Sequence, residues 1–537
     1  MKIILAAINS KYIHTSLSVR EIGAYLNEQG LDCELKEYSI NDEIFRVAAD
    51  ILKSKPDIVG ISCYIWNAEK CIEAADILKK ANPKIKIVLG GPQAAYNAEK
   101  YMKEYPFTDV IIKGEGETAF RRILTENVSG IIEAEPLPLD EKPFPYTEED
   151  LKDSNKIFYY ETSKGCPYSC SYCLSSAEKG IRYKNTENAV RELKRFSDSG
   201  VRIVKLVDRT FNSDLRRSCD ILREILKFNT KTQFHFEIAA DRVNDEFIDI
   251  LSRFDEGIIR IEAGLQSVNE KTLKAVHRNC NLGKLAENTR RILEDTKAVY
   301  HLDLIAGLPY EDMESFKKSF DFAFNLHPHE LQLGFLKVLP GTLIAKEAEM
   351  HGIKHSLLPP YEIISNNYMS FGDLIRLKKL EAVLDLFHNS GLLRMSEEKL
   401  TNAFESPFGF FDRLAEFADE RDLLITPHHR SVMFGALHDF AVINGIDAEY
   451  ELAADFLTAC KGAPVPEWFG DAQPLSKEKI YAVLTDDEKI NALPKLKEVR
   501  QTARHKYARF VQFKSRILLH SYPDDAVADV TKWYEDI

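Results

Sequence analysis

The first 127 residues alternate between short apolar runs and amphipathic helical segments, and this alternation limits the possible folds more than any other feature. The runs KIILAAI, DIVGISCYI and KIKIVLGGP are almost continuously apolar. Strands of this kind are typical of a parallel sheet that helices cover on both faces. The pattern predicts a doubly wound α/β domain over 1–130, whose ligands bind beyond the carboxyl ends of the strands.

Four loops of unusual composition follow the predicted strands. Their sequences are INSKYIH, SCYIWN, GGPQAAY and GEGE. The glycine-rich G-x-G-x-x-G loop that binds a dinucleotide is absent after the first strand, and the two acids of GEGE would repel a pyrophosphate. The loops therefore predict a ligand site at the sheet edge without a dinucleotide fingerprint.

Three further segments follow this domain. Residues 131–155 contain four prolines and many acids and are predicted to form a linker. A second series of strand and helix signals over 156–345 predicts a partial or full (β/α) barrel, with active-site loops after its strands. From 346 to 537 the periodicity is helical, so we expect a mostly helical C-terminal domain.

The overall charge and the apolar runs exclude several classes of protein. The formal net charge of −13 argues against non-specific coating of nucleic acid. The first apolar run is too short for a signal peptide, and no run reaches the roughly 18 to 20 apolar residues that span a bilayer. We therefore expect a soluble, cytoplasmic protein without a membrane partner.

A local exception to the acidic character lies at 495–516. This stretch contains eight Lys or Arg residues and one Glu, with Tyr507, Phe510 and Phe513 between them. Basic and stacking side chains together are used to bind RNA or single strands. An amphipathic segment with its aromatic rings in a core and its charges in water explains the same pattern.

Three of the nine cysteines fall within eight residues, at Cys166, Cys170 and Cys173. A Cys-x2-Cys pair alone would suggest a dithiol or half of a zinc site. No second Cys or His pair lies nearby for zinc, and the strand–turn–helix setting of a dithiol enzyme is missing. Three thiolates at this spacing can hold three irons of a [4Fe–4S] cluster, with the fourth iron open to a small molecule.

This cysteine spacing, with aromatic Tyr172 before the last cysteine, resembles the radical S-adenosylmethionine (SAM) superfamily. The resemblance implies an oxygen-sensitive [4Fe–4S] enzyme that takes single electrons from a donor such as flavodoxin or ferredoxin. It also implies SAM at the open iron and a 5′-deoxyadenosyl radical as product. By the same resemblance, the residues expected to bind SAM are Tyr172, Asp208, Arg209, Glu262 and Gln266. Four further side chains, expected to face the barrel interior and handle protons, are His235, Glu237, His301 and Asp303.

The first domain, placed before such a barrel, resembles the cobalamin-binding domain of B12-dependent radical SAM enzymes. The segments that carry the resemblance are VGISCYIWN, VLGGPQAAY and IIKGEGET. The Asp-x-His-x-x-Gly loop that supplies a histidine to cobalt in other B12 proteins is absent, so we expect base-off cobalamin without a histidine ligand. The residues expected to contact cobalamin are Asn9, Tyr12, Ser62, Tyr64, Gly90, Gly91, Pro92, Glu115, Gly116 and Glu117.

The two resemblances together imply an enzyme that methylates an unactivated carbon through the deoxyadenosyl radical and methylcobalamin. A rearrangement, cyclisation or oxidation with cobalamin as an electron relay is the alternative within enzymes. A protein that only senses SAM or cobalamin is the alternative outside them. The substrate stays open between a small molecule or lipid, a peptide, and a modified nucleoside in an RNA such as tRNA that docks on 495–516.

Overall fold

The computed structural model describes residues 1–126, 128–176, 180–228, 230–471 and 475–535. The chain divides into two compact units. The first comprises Met1–His329 and Leu333–Phe371, and the second comprises Glu330–Gln332 and Gly372–Ile537.

The first unit begins with a parallel six-stranded sheet. Its strands are β1 (Ile3–Asn9), β2 (Cys33–Ser39), β3 (Ile58–Ser62), β4 (Lys86–Gly90), β5 (Val110–Lys113) and β6 (Gly130–Glu133). They lie in the order β2-β1-β3-β4-β5-β6. The helices between them are α1 (Leu17–Glu28), α2 (Ile44–Lys53), α3 (Ala68–Ala81), α4 (Pro92–Tyr96), α5 (Ala98–Glu104) and α6 (Gly116–Glu126). The doubly wound domain is confirmed, and β6 begins just before the predicted linker and extends into it.

The continuous apolar runs are explained by two separate cores, one on each face of this sheet. Ile4, Ala6 and Ile8 of β1 pack with α2 and α3. Ile3 and Leu5 point to the opposite face and pack with α1 and α6. Since successive side chains of a strand point to opposite faces, a strand buried on both sides must be apolar at every position.

A second parallel sheet forms the barrel portion of the first unit. Strand β7 (Ile157–Tyr160) is followed by a small antiparallel hairpin of β8 (Ser163–Gly165) and β9 (Ile181–Tyr183). The run KIFYYETSKG reads as one continuous strand in the sequence, whereas the structure divides it into β7 and β8. The remaining strands are β10 (Ile203–Leu206), β11 (Gln233–Ile238), β12 (Ile259–Gln266), β13 (Val299–Ala306) and β14 (Glu330–Phe335). Their order is β14-β13-β12-β11-β10-β7, which is an open, partial barrel.

Helices connect the barrel strands, as the second series of signals predicted. They are α7 (Thr186–Asp198), α8 (Leu215–Leu226), α9 (Asp245–Ser252), α10 (Glu270–Ala275), α11 (Leu282–Asp295), α12 (Met313–Phe324) and α13 (Leu343–Glu347). Side-chain caps begin several of them. Asn185, Asp214 and Asn244 each accept a hydrogen bond from the first turn of the helix that follows. A two-stranded sheet of β15 (Lys354–His355) and β16 (Ile363–Ser365) follows.

The second unit is mostly helical but ends in a sheet that the sequence analysis did not predict. Its helices are α14 (Phe371–Val383), α15 (Glu397–Thr401), α16 (Pro407–Asp419), α17 (Arg430–Ile443), α18 (Glu449–Ala459), α19 (Lys477–Thr485), α20 (Pro494–Glu498) and α21 (Thr531–Glu535). The antiparallel strands β17 (Ala508–Phe513), β18 (Arg516–Ser521) and β19 (Ala526–Asp529) lie between α20 and α21. Within the described ranges, no helix has both the length and the hydropathy that a membrane crossing requires.

Candidate cofactor and active site

A cavity of about 850 Å³ lies in the first unit, at the carboxyl edge of the first sheet. Barrel residues Tyr159, Glu161 and Arg209 also line it, so both sheets border one space. Nine of the ten residues predicted to contact cobalamin line this cavity: Asn9, Ser62, Tyr64, Gly90, Gly91, Pro92, Glu115, Gly116 and Glu117. The tenth, Tyr12, differs from the prediction. It is 69% exposed, and its ring contacts the ammonium group of Lys156 at 3.7 Å.

Two glycines at the end of β4, Gly90 and Gly91, form part of the cavity wall. Gly91 has a φ of +88°, and a Cβ atom there would lie 2.6 Å from the carbonyl oxygen of Cys63. A Cβ atom on Gly90 would meet nothing within 4 Å. Gly91 is therefore required by the turn, whereas the space beside Gly90 belongs to the cavity.

Asn67 holds in place the segment that brings Ser62 and Tyr64 to the cavity wall. Its Oδ1 accepts a hydrogen bond from the Tyr64 amide at 2.7 Å, and its Nδ2 donates to the carbonyls of Ile8 and Ser62 at 2.8 and 3.1 Å. Asn67 is 2% exposed. One buried amide thus joins the ends of β1 and β3, which explains why these loops converge.

The acids of the GEGE segment are paired within the protein. The ammonium nitrogen of Lys142 lies 2.6 Å from Glu117, 3.0 Å from Glu115 and 3.2 Å from Glu21. Its side chain is only 4% exposed. Glu115 is also paired with Arg182 and with Lys164, which lowers its pKa in spite of its burial. These residues, called the Lys142 cluster, connect the predicted linker to the cavity edge.

His14, which does not belong to an Asp-x-His-x-x-Gly loop, lines the cavity and forms a hydrogen bond with a barrel residue. Its Nδ1 lies 2.7 Å from the hydroxyl of Tyr159. Burial, followed by the charges of Lys11, Lys205 and Lys156, lowers its pKa. The imidazole is therefore held in its neutral form at neutral pH.

The three clustered cysteines follow the hairpin strand β8. Gly165 precedes them with a φ of +96°, and a Cβ atom there would lie 2.2 Å from the carbonyl oxygen of Gly180. The Ser171 amide donates to Val276 and the Ser171 carbonyl accepts from Ile344, both at 2.9 Å. Backbone contacts to two distant segments therefore give the cysteine loop its path. Leu174 and Ser175, just after Cys173, line the cavity.

Asp208 is fully buried beneath this loop. Its carboxylate accepts hydrogen bonds from the Thr162 amide at 2.7 Å, the Thr162 hydroxyl at 2.5 Å and the Ser163 hydroxyl at 2.7 Å. Burial raises its pKa, and these hydrogen bonds oppose that rise. Its neighbour Arg209 is exposed and lines the cavity. The two residues predicted to contact SAM at this strand end thus have different surroundings.

A partly buried arginine lies beside the cysteines and the predicted SAM residues. Arg278 Nη1 is 3.9 Å from Cys170 Sγ and 3.5 Å from the Tyr172 hydroxyl, and its Nη2 donates to the Gly264 carbonyl. Gln266 follows an irregular pairing between β12 and β13 and has a φ of +71°. Its buried Oε1 has no hydrogen-bond partner among the described residues. A strained backbone and an unpaired buried oxygen together point to a ligand-binding position.

Charged side chains face one another inside the barrel. Glu262 Oε2 lies 3.1 Å from both Lys205 Nζ and His235 Nε2, and Asp303 Oδ1 lies 3.2 Å from His301 Nε2. Burial is the largest influence on Glu262, but its two partners outweigh it and lower the pKa. Burial, Glu262 and Glu237 all raise the pKa of Asp303. The pKa values of these two barrel carboxyl groups are therefore shifted in opposite directions.

Three family models match consecutive parts of the chain. The "B12 binding domain" model matches residues 3–124, and the "Radical SAM superfamily" model matches residues 160–323. The chain thus carries a B12-binding domain followed by a radical SAM domain. A "Protein of unknown function (DUF4080)" model matches residues 349–531.

Curated relatives and a solved structure agree with this assignment. A 2-(S-pantetheinyl)-carbapenam-3-carboxylate methyltransferase from Streptantibioticus cattleyicolor is 24% identical over 92% of this chain and 81% of its own length. The cobalamin-dependent radical SAM methyltransferase TokK from Streptomyces tokunonensis is 26% identical over 59% of this chain, and the match spans about half (53%) of its length. A solved structure of TsrM from Kitasatospora setae, with cobalamin and a [4Fe–4S] cluster bound, is also similar. The match covers 67% of this chain and 82% of TsrM, at 15% identity. The TM-score of 0.56 shows a shared fold.

These domains imply three cofactors, namely a [4Fe–4S] cluster, SAM and cobalamin. The residues present fit them. Three cysteines without a disulfide would supply the thiolates, and Gln266 would supply an unpaired buried oxygen. Among the described residues no group of three Cys, His, Asp or Glu side chains could hold a single metal ion.

The basic stretch 495–516 does not form one exposed surface. Arg504 belongs to the stretch predicted to dock RNA, and for this residue the prediction is wrong. It is 2% exposed, and its guanidinium donates to the carbonyls of Leu484, Lys497 and Val499. Phe513 is also buried, as the amphipathic explanation requires. Lys514 pairs with Glu449.

Proposed function

We propose that this chain is a methyltransferase that adds a methyl group to an unactivated carbon of its substrate. The observation that carries the proposal is the shared cavity, because the predicted cobalamin residues and the residues next to the cysteine loop border the same space. When bound, the cluster and SAM supply radical chemistry and cobalamin supplies methyl transfer. The carbapenam methyltransferase, which is 24% identical over 92% of this chain, supports methyl transfer.

We propose that Cys166, Cys170 and Cys173 bind the cluster. Tyr172, Glu262, Gln266 and Arg209 are proposed to bind SAM. The protein environment supports a different task for Asp208, since all of its contacts are internal. Asp208 orients Thr162 and Ser163, and thereby positions the hairpin that leads into the first cysteine.

The nine cavity residues are proposed to bind cobalamin. The inner wall is formed by Leu5, Gly60, Val88 and Phe120, which exclude water from the sheet side of the cavity. Asn67 holds the loops with Ser62 and Tyr64 in place, and the Lys142 cluster holds the segment with Glu115 and Glu117. No histidine is proposed as a cobalt ligand, because the sequence lacks the Asp-x-His-x-x-Gly loop.

Inside the barrel, two pairs of side chains are suited to proton handling. Burial outweighs Glu262 and lowers the pKa of His235, so its imidazole is neutral and can accept a proton, with Glu262 at 3.1 Å as the partner of the charged form. Asp303, with its raised pKa, can donate one. Electrons are proposed to come from a small protein donor such as flavodoxin or ferredoxin.

Product analysis with reduced, reconstituted enzyme tests this function. Methylation predicts S-adenosylhomocysteine and 5′-deoxyadenosine formed together when extracts that contain the substrate are supplied. 5′-Deoxyadenosine alone would favour a rearrangement, cyclisation or oxidation. No cleavage of SAM at all would contradict an enzyme and favour a sensor protein.

A further inference from the structure

A cluster of basic side chains in the second unit is not explained by the proposed methyl transfer. Arg394 Nη1 lies 2.5 Å from Asp525 Oδ2, and Lys461 Nζ lies 2.8 Å from Asp525 Oδ1. Both cations are about half exposed, at 57% and 51% of their side chains. Asp525 sits in the turn after β18 with a φ of +52°, which fixes its carboxylate between them.

We call the half-exposed side chains of Arg394 and Lys461 the rim of this cluster. Beside the rim, two further polar side chains lie opposite each other on neighbouring strands. Arg509 of β17 pairs in register with His520 of β18. Arg509 Nη2 donates to the Ala463 carbonyl at 2.8 Å, but its buried Nη1 has no hydrogen-bond partner among the described residues. His520 is 0% exposed, and neither of its ring nitrogens has such a partner. Buried donors without acceptors are rare and costly, so an external acceptor is expected here.

The charge around His520 is positive. Three positive charges lie in this cluster, on Arg394, Lys461 and Arg509. One negative charge, on Asp525, opposes them, so the formal sum is +2. Burial first, and then Lys461 and Arg509, lower the pKa of His520 to about 4, while Asp525 opposes them. The neutral imidazole can donate one hydrogen bond, and its environment favours an anion.

We propose that Arg394, Lys461, Arg509 and His520 form a binding site for a phosphate monoester, called the phosphate site. Arg509 Nη1 and the His520 N–H would donate to its oxygens, and Lys461 and Arg394 would neutralise its charge at the rim. A terminal phosphate, with a charge near −2 at neutral pH, matches the sum of +2 better than an internal phosphodiester does. The group could be carried by a small phosphorylated molecule or by the 5′ end of a nucleic acid.

Calorimetric titration of the full chain with inorganic phosphate at constant ionic strength tests the site. Binding should saturate, and Lys461→Gln and Arg509→Gln should each weaken it about tenfold, since each removes a charge-assisted hydrogen bond or ion contact. The matched control is Lys477→Gln, an exposed lysine of the same unit outside the cluster. Because Lys461 is half exposed, its variant should fold normally, and melting curves verify this.

A second readout reports on the buried histidine itself. In protein with ¹³C-labelled histidine, the His520 signal, assigned by its loss in His520→Asn, should shift when phosphate is added. No saturable binding up to about 10 mM phosphate, a range that would include even millimolar affinity, would overturn the proposal. Equal weakening in Lys477→Gln would overturn it as well.

Two competitors distinguish the source of the phosphate group. Displacement of phosphate by glycerol 3-phosphate but not by a 5′-phosphorylated oligoribonucleotide indicates a small molecule. Tighter binding of the 5′-phosphorylated than of the 5′-hydroxyl oligonucleotide, lost in Lys461→Gln, indicates a nucleic-acid end. If neither competitor displaces phosphate, the result contradicts a monoester site. These titrations need no SAM or reductant, so their failure would leave the proposed methyl transfer untouched.

Discussion

Replacement of Lys142 by Met should loosen the edge of the cofactor cavity. The Lys142 ammonium group is the shared partner of Glu21, Glu115 and Glu117, and its side chain is 4% exposed. Removing one partner of a buried ion pair costs about 3–5 kcal/mol because the other charge stays buried. Glu115 keeps Arg182 and Lys164, so we expect the lower end, about 3 kcal/mol.

Hydrogen exchange followed by mass spectrometry measures this loss locally. Peptides that cover 115–126 and 139–152 should exchange about a hundredfold faster in Lys142→Met, as a loss of about 3 kcal/mol in opening free energy requires. The control is Lys152→Met, which removes an exposed pair with Glu149 in the same segment. Exchange in these peptides that is unchanged, or no faster than in the control, would refute the importance of the cluster.

The shifted pKa values of Lys142 and Glu115 determine how the stabilisation lost in Lys142→Met depends on pH. The pKa of Lys142 is raised above 10.5, so its stabilisation is complete below that pH and is lost as the pH rises through the shifted value. The pKa of Glu115 is lowered below 4.5, so its stabilisation is complete above that pH and is lost on acidification. The difference between wild type and Lys142→Met should therefore be constant from about pH 5 to 10.

Three other substitutions test separate parts of the site. Gly90→Val should place a side chain in the cavity and reduce the cobalamin retained after gel filtration at least tenfold. The control Gly435→Val, at a position where a Cβ atom also meets nothing within 4 Å, should not reduce it. Equal retention in the two variants would contradict the cavity assignment. Asp208→Ala removes three hydrogen bonds at the start of the cysteine hairpin and should lower the iron content after reconstitution; full iron loading would show that Asp208 is dispensable. Arg278→Gln removes a positive charge near Cys170 and should make the cluster harder to reduce in an EPR redox titration. Arg291→Gln, which removes a charge paired with Asp245 on another helix, should not. An unchanged potential in Arg278→Gln would contradict this influence.

The sequence predicted the fold where apolar periodicity is strong. Both parallel sheets follow from it, since each buried strand is apolar on two faces. The sheet of β17–β19 was missed because its strands mix basic, polar and aromatic residues, as in ARFVQF. Strand β8 was missed as a separate element because only three residues form it, and its partner lies past the cysteines.

The candidate site was predictable where loops follow strands directly. Nine cavity residues were found in this way, because parallel strands bring their carboxyl ends to one edge. Lys142 and Arg278 were missed, since each reaches the site across a long separation. Arg278, for example, lies 108 residues from Cys170. No local pattern marks such a residue, whose role depends on tertiary packing alone.

Metal analysis of anaerobically reconstituted protein tests the central claim most directly. Iron and cobalt are measured in the same sample after incubation with iron, sulfide and hydroxocobalamin and removal of excess reagents. We expect about four irons and about one cobalt per chain in the wild type. The variant with Cys166, Cys170 and Cys173 all changed to Ala should lose the iron and keep the cobalt. Unchanged iron in that variant, or a wild type that retains no cobalt, would contradict a cobalamin-dependent radical SAM enzyme with its cluster on these cysteines.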